Sequence, residues 1–123
     1  MSRLFMLLLV LACLRMAWTL FVPHTPVLAR SMSAEAVASL ASTVKAGDVT
    51  IFTATDCQYC ADAKEWMKHY GFAFRECDVS REQHCQREFS SYRATGVPFL
   101  LIRGRQMRDG FDADLFLAAL QGH

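Results

Sequence analysis

The sequence predicts an α/β fold: a four-stranded mixed sheet flanked by helices and preceded by an apolar N-terminal helix. Three observations predict it. After residue 33, helical and strand patterns follow one another as α-β-α-β-α-β-β-α. The first β-α-β run requires a right-handed parallel crossover. The last two strands meet through a turn at Gly104, which makes a hairpin. The folded part is about 90 residues, small enough to need one compact sheet with helices on both faces.

Each element has a local reason. Residues 33–46 form a helix: Ser33 caps it, Val37, Leu40, Ala41 and Val44 fall at i, i+3, i+4 and i+7, and Gly47 stops it. Residues 48–53, DVTIFT, are a strand with Val49, Ile51 and Thr53 on one face. A polar turn, Ala54-Thr55-Asp56, leads to Cys57. Residues 60–70 read as a helix ended by Gly71, and 72–79 as the next strand. Ser80 is the expected cap of a helix over 81–92. Thr95-Gly96-Val97-Pro98 leads into a strand over 99–102, and 106–108 form its hairpin partner. Asp112 caps a last helix over 113–121.

The chain divides as 1–29, a signal peptide or membrane anchor; 30–47, an N-terminal helix and linker; and 48–123, the functional domain. Arg3 precedes an apolar run from Leu4 to Leu14, and after Arg15 the run resumes to Val22. Val27 and Ala29 fit positions −3 and −1 of a cleavage point before Arg30. The competing reading is an uncleaved span over 4–22, in which Arg15 costs ~2.5–3.5 kcal/mol on insertion scales. Val10-Leu11-Ala12-Cys13 also has the form of a lipobox, although apolar sequence continues past Cys13. All three readings place the domain outside the cytoplasm, periplasmic or anchored in the inner membrane.

Thirteen Lys and Arg against 12 Asp and Glu leave a net charge of +1, so there is no basic field for nucleic acid. Of five cysteines, Cys13 lies in the apolar leader. The remaining four, Cys57, Cys60, Cys77 and Cys85, are the even number an oxidising compartment permits.

Cys57-Gln58-Tyr59-Cys60 carries the chemistry. Haem attachment needs His after the second Cys, and Ala61 is there. A zinc site needs a second knuckle pair, and the spacing of Cys77 and Cys85 fits poorly. A redox dithiol fits best, because the pair sits between a strand and a helix. There Cys57 faces free backbone N–H groups at a helix N-terminus, which stabilise a thiolate. Lys64 adds positive charge and Asp56 opposes it. An inert structural disulfide is the bland alternative. Cys77 closes a strand and Cys85 lies on the following helix, so a short connection folds one back beside the other. A Cys77–Cys85 disulfide, two separate buried thiols and a metal role all remain open there. Export favours the disulfide.

Together, Val49-Thr-Ile-Phe52, Cys57-Gln-Tyr-Cys60, Gly96-Val-Pro98, Ile102-Arg-Gly104 and Asp109-Gly-Phe-Asp112 resemble the glutaredoxin branch of the thioredoxin superfamily over residues 48–120. The resemblance implies a thioredoxin-like fold and a thiol–disulfide oxidoreductase. It implies no resident cofactor, glutathione as a co-substrate, protein or glutathione thiols and disulfides as partners, and a monomer. It makes Cys57 the nucleophile and Cys60 the resolving thiol. Val97 becomes a backbone contact for substrate and Pro98 a cis-proline. Tyr59, Gly110 and Asp112 become glutathione contacts. The chain departs from the family pattern at Ala54, Gly96 and Ala113, where Lys or Arg, Thr and Asp are usual. These departures predict a weakened glutathione site. The alternative function is a soft-metal-binding or redox-inactive interaction module on the same fold. For either function, membrane contact is expected only through residues 4–22.

Overall fold

A computed structural model of the chain describes residues 2–21 and 32–122. It separates into two compact units, Met1–Arg30 and Ser31–His123.

The first unit contains helix α1, Ser2–Phe21, with Leu4 to Leu11 and Leu14 exposed. Arg15 interrupts its apolar run. Among the described residues no helix is long and apolar enough to cross a membrane. The expected cleavage point at Ala29/Arg30 lies outside the described residues.

The second unit holds β1 (Val49–Thr53), β2 (Arg75–Asp78), β3 (Phe99–Ile102) and β4 (Arg105–Met107) in the order β2-β1-β3-β4. β1 pairs parallel with β2 and antiparallel with β3, and β3 pairs antiparallel with β4, so the sheet is mixed. All five residues of β1 are buried because it is a central strand covered on both faces. Val49 and Ile51 join the larger core with α2 (Ala34–Ser42), α3 (Gln58–His69) and α5 (Ala113–Gln121). Phe52 turns to the opposite face, where Cys77, Cys85 and Phe99 pack under Phe89 and Tyr92 of the α4 (Gln83–Ser91) segment.

Element boundaries differ from the sequence expectations for identifiable reasons. α2 ends at Ser42 rather than 46. The Thr43 hydroxyl donates to Leu40 O, and a short 3₁₀ turn, Ala46–Asp48, leads into β1. Val44 stays buried outside the helix. β2 starts at Arg75, not at residue 72. α3 closes with Gly71 at φ +79°, Gly71 N donating to Lys68 O and Phe72 N to Met67 O. That pair of bonds is the glycine-terminated helix end that leaves Phe72 in the core before the strand begins. The N-cap position of α4 is Glu82, which makes no side-chain cap bond, and not Ser80, whose hydroxyl accepts the N–H of Thr55 at 3.1 Å. α3 begins at Gln58 rather than 60 and β4 at Arg105 rather than 106. Asp112 caps α5, accepting Leu115 N at 2.8 Å.

Candidate functional site

The turn from β1 to α3 positions the dithiol. Asp56 takes φ +58°, a left-handed conformation that Asp tolerates better than most residues. Cys57 follows as the N-cap of α3: its Sγ accepts the N–H of Cys60 at 3.2 Å and its carbonyl accepts that of Ala61 at 3.1 Å. Cys57 is half-buried at the tip, whereas Cys60 lies behind it at 2% exposure. The two are joined as a disulfide with Cα atoms 5.2 Å apart.

The turn is also held from the side. Val79 N donates to Thr53 O at 2.8 Å, and the Thr55–Ser80 bond adds a second tie to the loop after β2. Lys64 directs its charge at Glu76, with Nζ 2.7 Å from Oε1, while the Thr53 hydroxyl donates to the same oxygen at 2.9 Å. Burial pushes the Glu76 carboxyl up. The Lys64 and Thr53 hydrogen bonds and the charges of Lys64 and Lys68 outweigh it, so its pKa is lowered. Lys64 is therefore shared between Glu76 and the hollow it lines with Cys57 and Cys60.

Beside the dithiol lies a groove of about 620 Å³. Tyr59, Asp62, Ala63 and Trp66 of α3 form one wall, and Asp109, Gly110 and Phe111 form the other. Gly96, Val97 and Pro98 also line it. The Val97–Pro98 peptide bond is cis. The groove thus brings Tyr59, Val97, Pro98 and Gly110 together, and it adjoins the dithiol through Tyr59, which stands between Cys57 and Cys60 in the chain. Asp112 does not line the groove, and its carboxylate is engaged by the α5 N-terminus. Sequence reasoning missed Asp62, Trp66, Arg108 and Phe111. A signal existed for the first two: residues 59, 62, 63 and 66 are spaced i, i+3, i+4, i+7 on α3, one face of a helix starting beside the dithiol.

Cys77 and Cys85 are joined on the other side of the sheet, both at 0% exposure, with Cα atoms 5.4 Å apart. The His84 Nε2 atom lies 3.4 Å from Cys85 Sγ, and the ligating atoms of Cys77, His84 and Cys85 fall within 4.8 Å of one another. With the two sulfurs bonded to each other, that set offers a metal no thiolate.

Comparison with known proteins follows from this geometry. Residues 49–107 match the Glutaredoxin family. The crystal structure of a point mutant of the thioredoxin-like protein BC3987 is 26% identical with a TM-score of 0.53, over 58% of this chain and 97% of that one. The holo form of glutaredoxin C1 from Populus tremula x tremuloides is 21% identical with a TM-score of 0.48, over 72% of this chain and 95% of that one. No curated protein sequence matches the chain. Residues 49–107, β1 to β4, thus form a glutaredoxin-like domain, and the 26%-identical neighbour supports a thioredoxin-like fold for it.

Proposed function

We propose that the protein is a thiol–disulfide oxidoreductase of the cell envelope, with Cys57 as the attacking thiol and Cys60 as the resolving one. The observation that carries this reading is the position of Cys57. It is the N-cap of α3, half-exposed, with its sulfur accepting a backbone N–H and Cys60 buried one turn behind it. A helix N-terminus stabilises negative charge on that sulfur, and the thiolate is the nucleophile in exchange.

The reaction balances without a cofactor. The Cys57 thiolate attacks one sulfur of a substrate disulfide, forms a mixed disulfide and releases the other substrate sulfur as thiolate, which takes a proton from water. The Cys60 thiol loses its proton and attacks Cys57 Sγ, closing the Cys57–Cys60 bond and releasing the second substrate thiol. The substrate gains two electrons and the dithiol loses two; the reverse sequence oxidises a substrate. Val97 and Pro98 form the substrate backbone contact, and Tyr59 and Gly110 meet the chain that carries the substrate cysteine. Glutathione is a co-substrate of secondary rank, since Ala54, Gly96 and Ala113 stand where the family pattern has charged or hydroxyl side chains. Cys77–Cys85 is a structural staple, and the domain acts as a monomer.

Envelope location is supported by the apolar run of residues 4–14 and by four cysteines paired in the domain. The test is a Cys60→Ser chain offered a protein disulfide. It should accumulate a mixed disulfide on Cys57, read by mass mapping, and fractionation should find the domain outside the cytoplasm. Absence of any adduct on Cys57, with the same absence in the parent chain's turnover, would overturn the activity.

A further inference from the structure

The groove beside the dithiol carries charge whose sign bears on the substrate. Its walls are aromatic, with Tyr59, Trp66 and Phe111 contributing, and Tyr59 is 77% exposed. Three charged residues line it: Asp62, Asp109 and Arg108. Arg108 is already committed within its own chain. Its Nη2 donates to Tyr92 O at 2.6 Å, its Nη1 to Arg93 O at 3.3 Å, and its guanidinium lies 5.8 Å from the centroid of the Phe99 ring. These contacts leave its charge intact but hold the guanidinium toward Tyr92 O, Arg93 O and the Phe99 ring, so an entering carboxylate would meet only its remaining N–H groups. Lys64 lines the separate hollow on the far side of Cys57 and is bonded to Glu76.

The two carboxylates are placed differently. Asp62 lies one turn along α3 from Gln58, whose amide Nε2 donates to its Oδ1 at 2.7 Å. An amide donor orients a carboxylate without neutralising it. Asp109 is exposed on the opposite wall, beside the turn at Gly110. An occupant of the groove therefore meets apolar ring surface between two carboxylates and one guanidinium held to backbone carbonyls, a lining with one negative charge in excess.

We infer that the groove selects polypeptide disulfides whose reactive cysteine is flanked by a Lys or Arg, and selects against glutathione. This rests on the proposed exchange at Cys57. Glutathione carries two carboxylates and one ammonium, so its net charge of about −1 at neutral pH opposes both Asp62 and Asp109. A Lys or Arg side chain answers both features at once. Its methylene stem lies on the ring of Trp66 or Phe111 and its charged end reaches a carboxylate. Complementary charge at an exposed groove raises encounter rate and specificity more than affinity, and is screened by salt. Asp62 and Asp109 are thus specificity-determining residues, without a part in the sulfur chemistry.

The test uses the full chain and a set of peptide disulfides that differ only at the residue beside cysteine: Lys, Gln or Glu. Oxidised glutathione is the fourth substrate. The expected order of kcat/KM is Lys, then Gln, then Glu, with about a two- to fivefold step for each charge contact, as exposed ion pairs give. Raising salt to 1 M should compress the series. Asp62→Asn and Asp109→Asn should each flatten it, and the double variant should remove the preference for Lys over Glu. Equal rates across the three peptides, or faster turnover of oxidised glutathione than of the Lys peptide, would overturn the inference while leaving exchange at Cys57 intact. No turnover of any of the four substrates would instead overturn the proposed function, and the inference with it.

Discussion

The two faces of one sheet each carry a disulfide, and they use it differently. On the face of α3 and α5 the core is large. Val49, Ile51, Met67, Leu100, Ile102 and Leu120 surround a ring cluster in which Phe116 contacts Trp66, Phe72 and Phe111. On the α4 face four buried residues suffice, two of them Cys77 and Cys85. The larger face is held by apolar burial and has no need of a covalent tie, so its cysteine pair stands at the exposed end of a helix. The smaller face joins a nine-residue helix to a four-residue edge strand through its cysteines. Accessibility and position at a helix N-terminus, and not the presence of a sulfur pair, separate a reactive dithiol from a staple.

The comparison is broken most directly by removing one sulfur from each pair. Cys57→Ser should lower exchange by at least about a thousandfold, as expected when the only nucleophile is lost. Replacing Cys77 and Cys85 together with Ala should leave kcat/KM within about threefold. Turnover of one reporter disulfide by the two variants checks both statements. A large loss of turnover in a folded Cys77→Ala, Cys85→Ala chain would make the buried pair part of the chemistry.

Stability should show the reverse ranking. Phe116→Ala removes a fully buried ring from the larger face and should cost about 3–5 kcal/mol. Opening Cys77–Cys85 should cost less, about 2.6 kcal/mol, the chain-entropy value for a closed loop of about nine residues. Urea unfolding of the Phe116→Ala and of the Cys77→Ala, Cys85→Ala chains measures both. If the disulfide variant lost more than Phe116→Ala, the smaller face would be the one holding the fold together.

Much of this division is legible in the sequence. The eight-element order after residue 33, the strand at 49–53 and the Asp112 cap depend on local patterns: β-branched runs, turn glycines and capping side chains. Boundaries that depended on tertiary ties were not legible. Ser80 is a residue type that caps helices, yet its hydroxyl serves Thr55 in the neighbouring loop after β1. Phe72 and Phe74 look like strand residues, yet the turn at Gly71 delivers Phe72 to the core first. At the site, the cysteines, Gly96-Val97-Pro98 and Asp109-Gly-Phe-Asp112 form recognisable words, whereas no spacing shows that residues 109–111, some fifty positions from the start of α3, face it across one groove. Asp112 has a local role beside the one the resemblance implies. Its neighbours line the groove, but its own carboxylate is engaged by Leu115 N.

The smallest effect tests the comparison on a single strand. Adjacent residues of β2 tie it to opposite helices: Cys77 to α4 by a covalent bond, and Glu76 to Lys64 of α3 by an ion pair. The Glu76 and Lys64 side chains are 41% and 25% exposed, so water and salt screen the pair, and Glu76→Gln should cost under about 1 kcal/mol at pH 7. Its pH dependence has a definite sign. Burial alone would raise the Glu76 pKa, but the hydrogen bonds from Lys64 and Thr53 and the charges of Lys64 and Lys68 lower it below its ordinary value. A group depressed on folding stabilises the fold fully above its unfolded pKa, about 4.3 for Glu, and loses that contribution as pH falls through the folded value. The gap in unfolding free energy between the parent chain and Glu76→Gln should therefore be widest near neutrality and shrink as the pH drops below about 4. Urea titrations at several pH values would measure it. A gap that stays constant down to pH 2 would mean that the Thr53 hydroxyl, which a glutamine can still accept from, and side-chain packing hold β2 to the reactive face rather than charge.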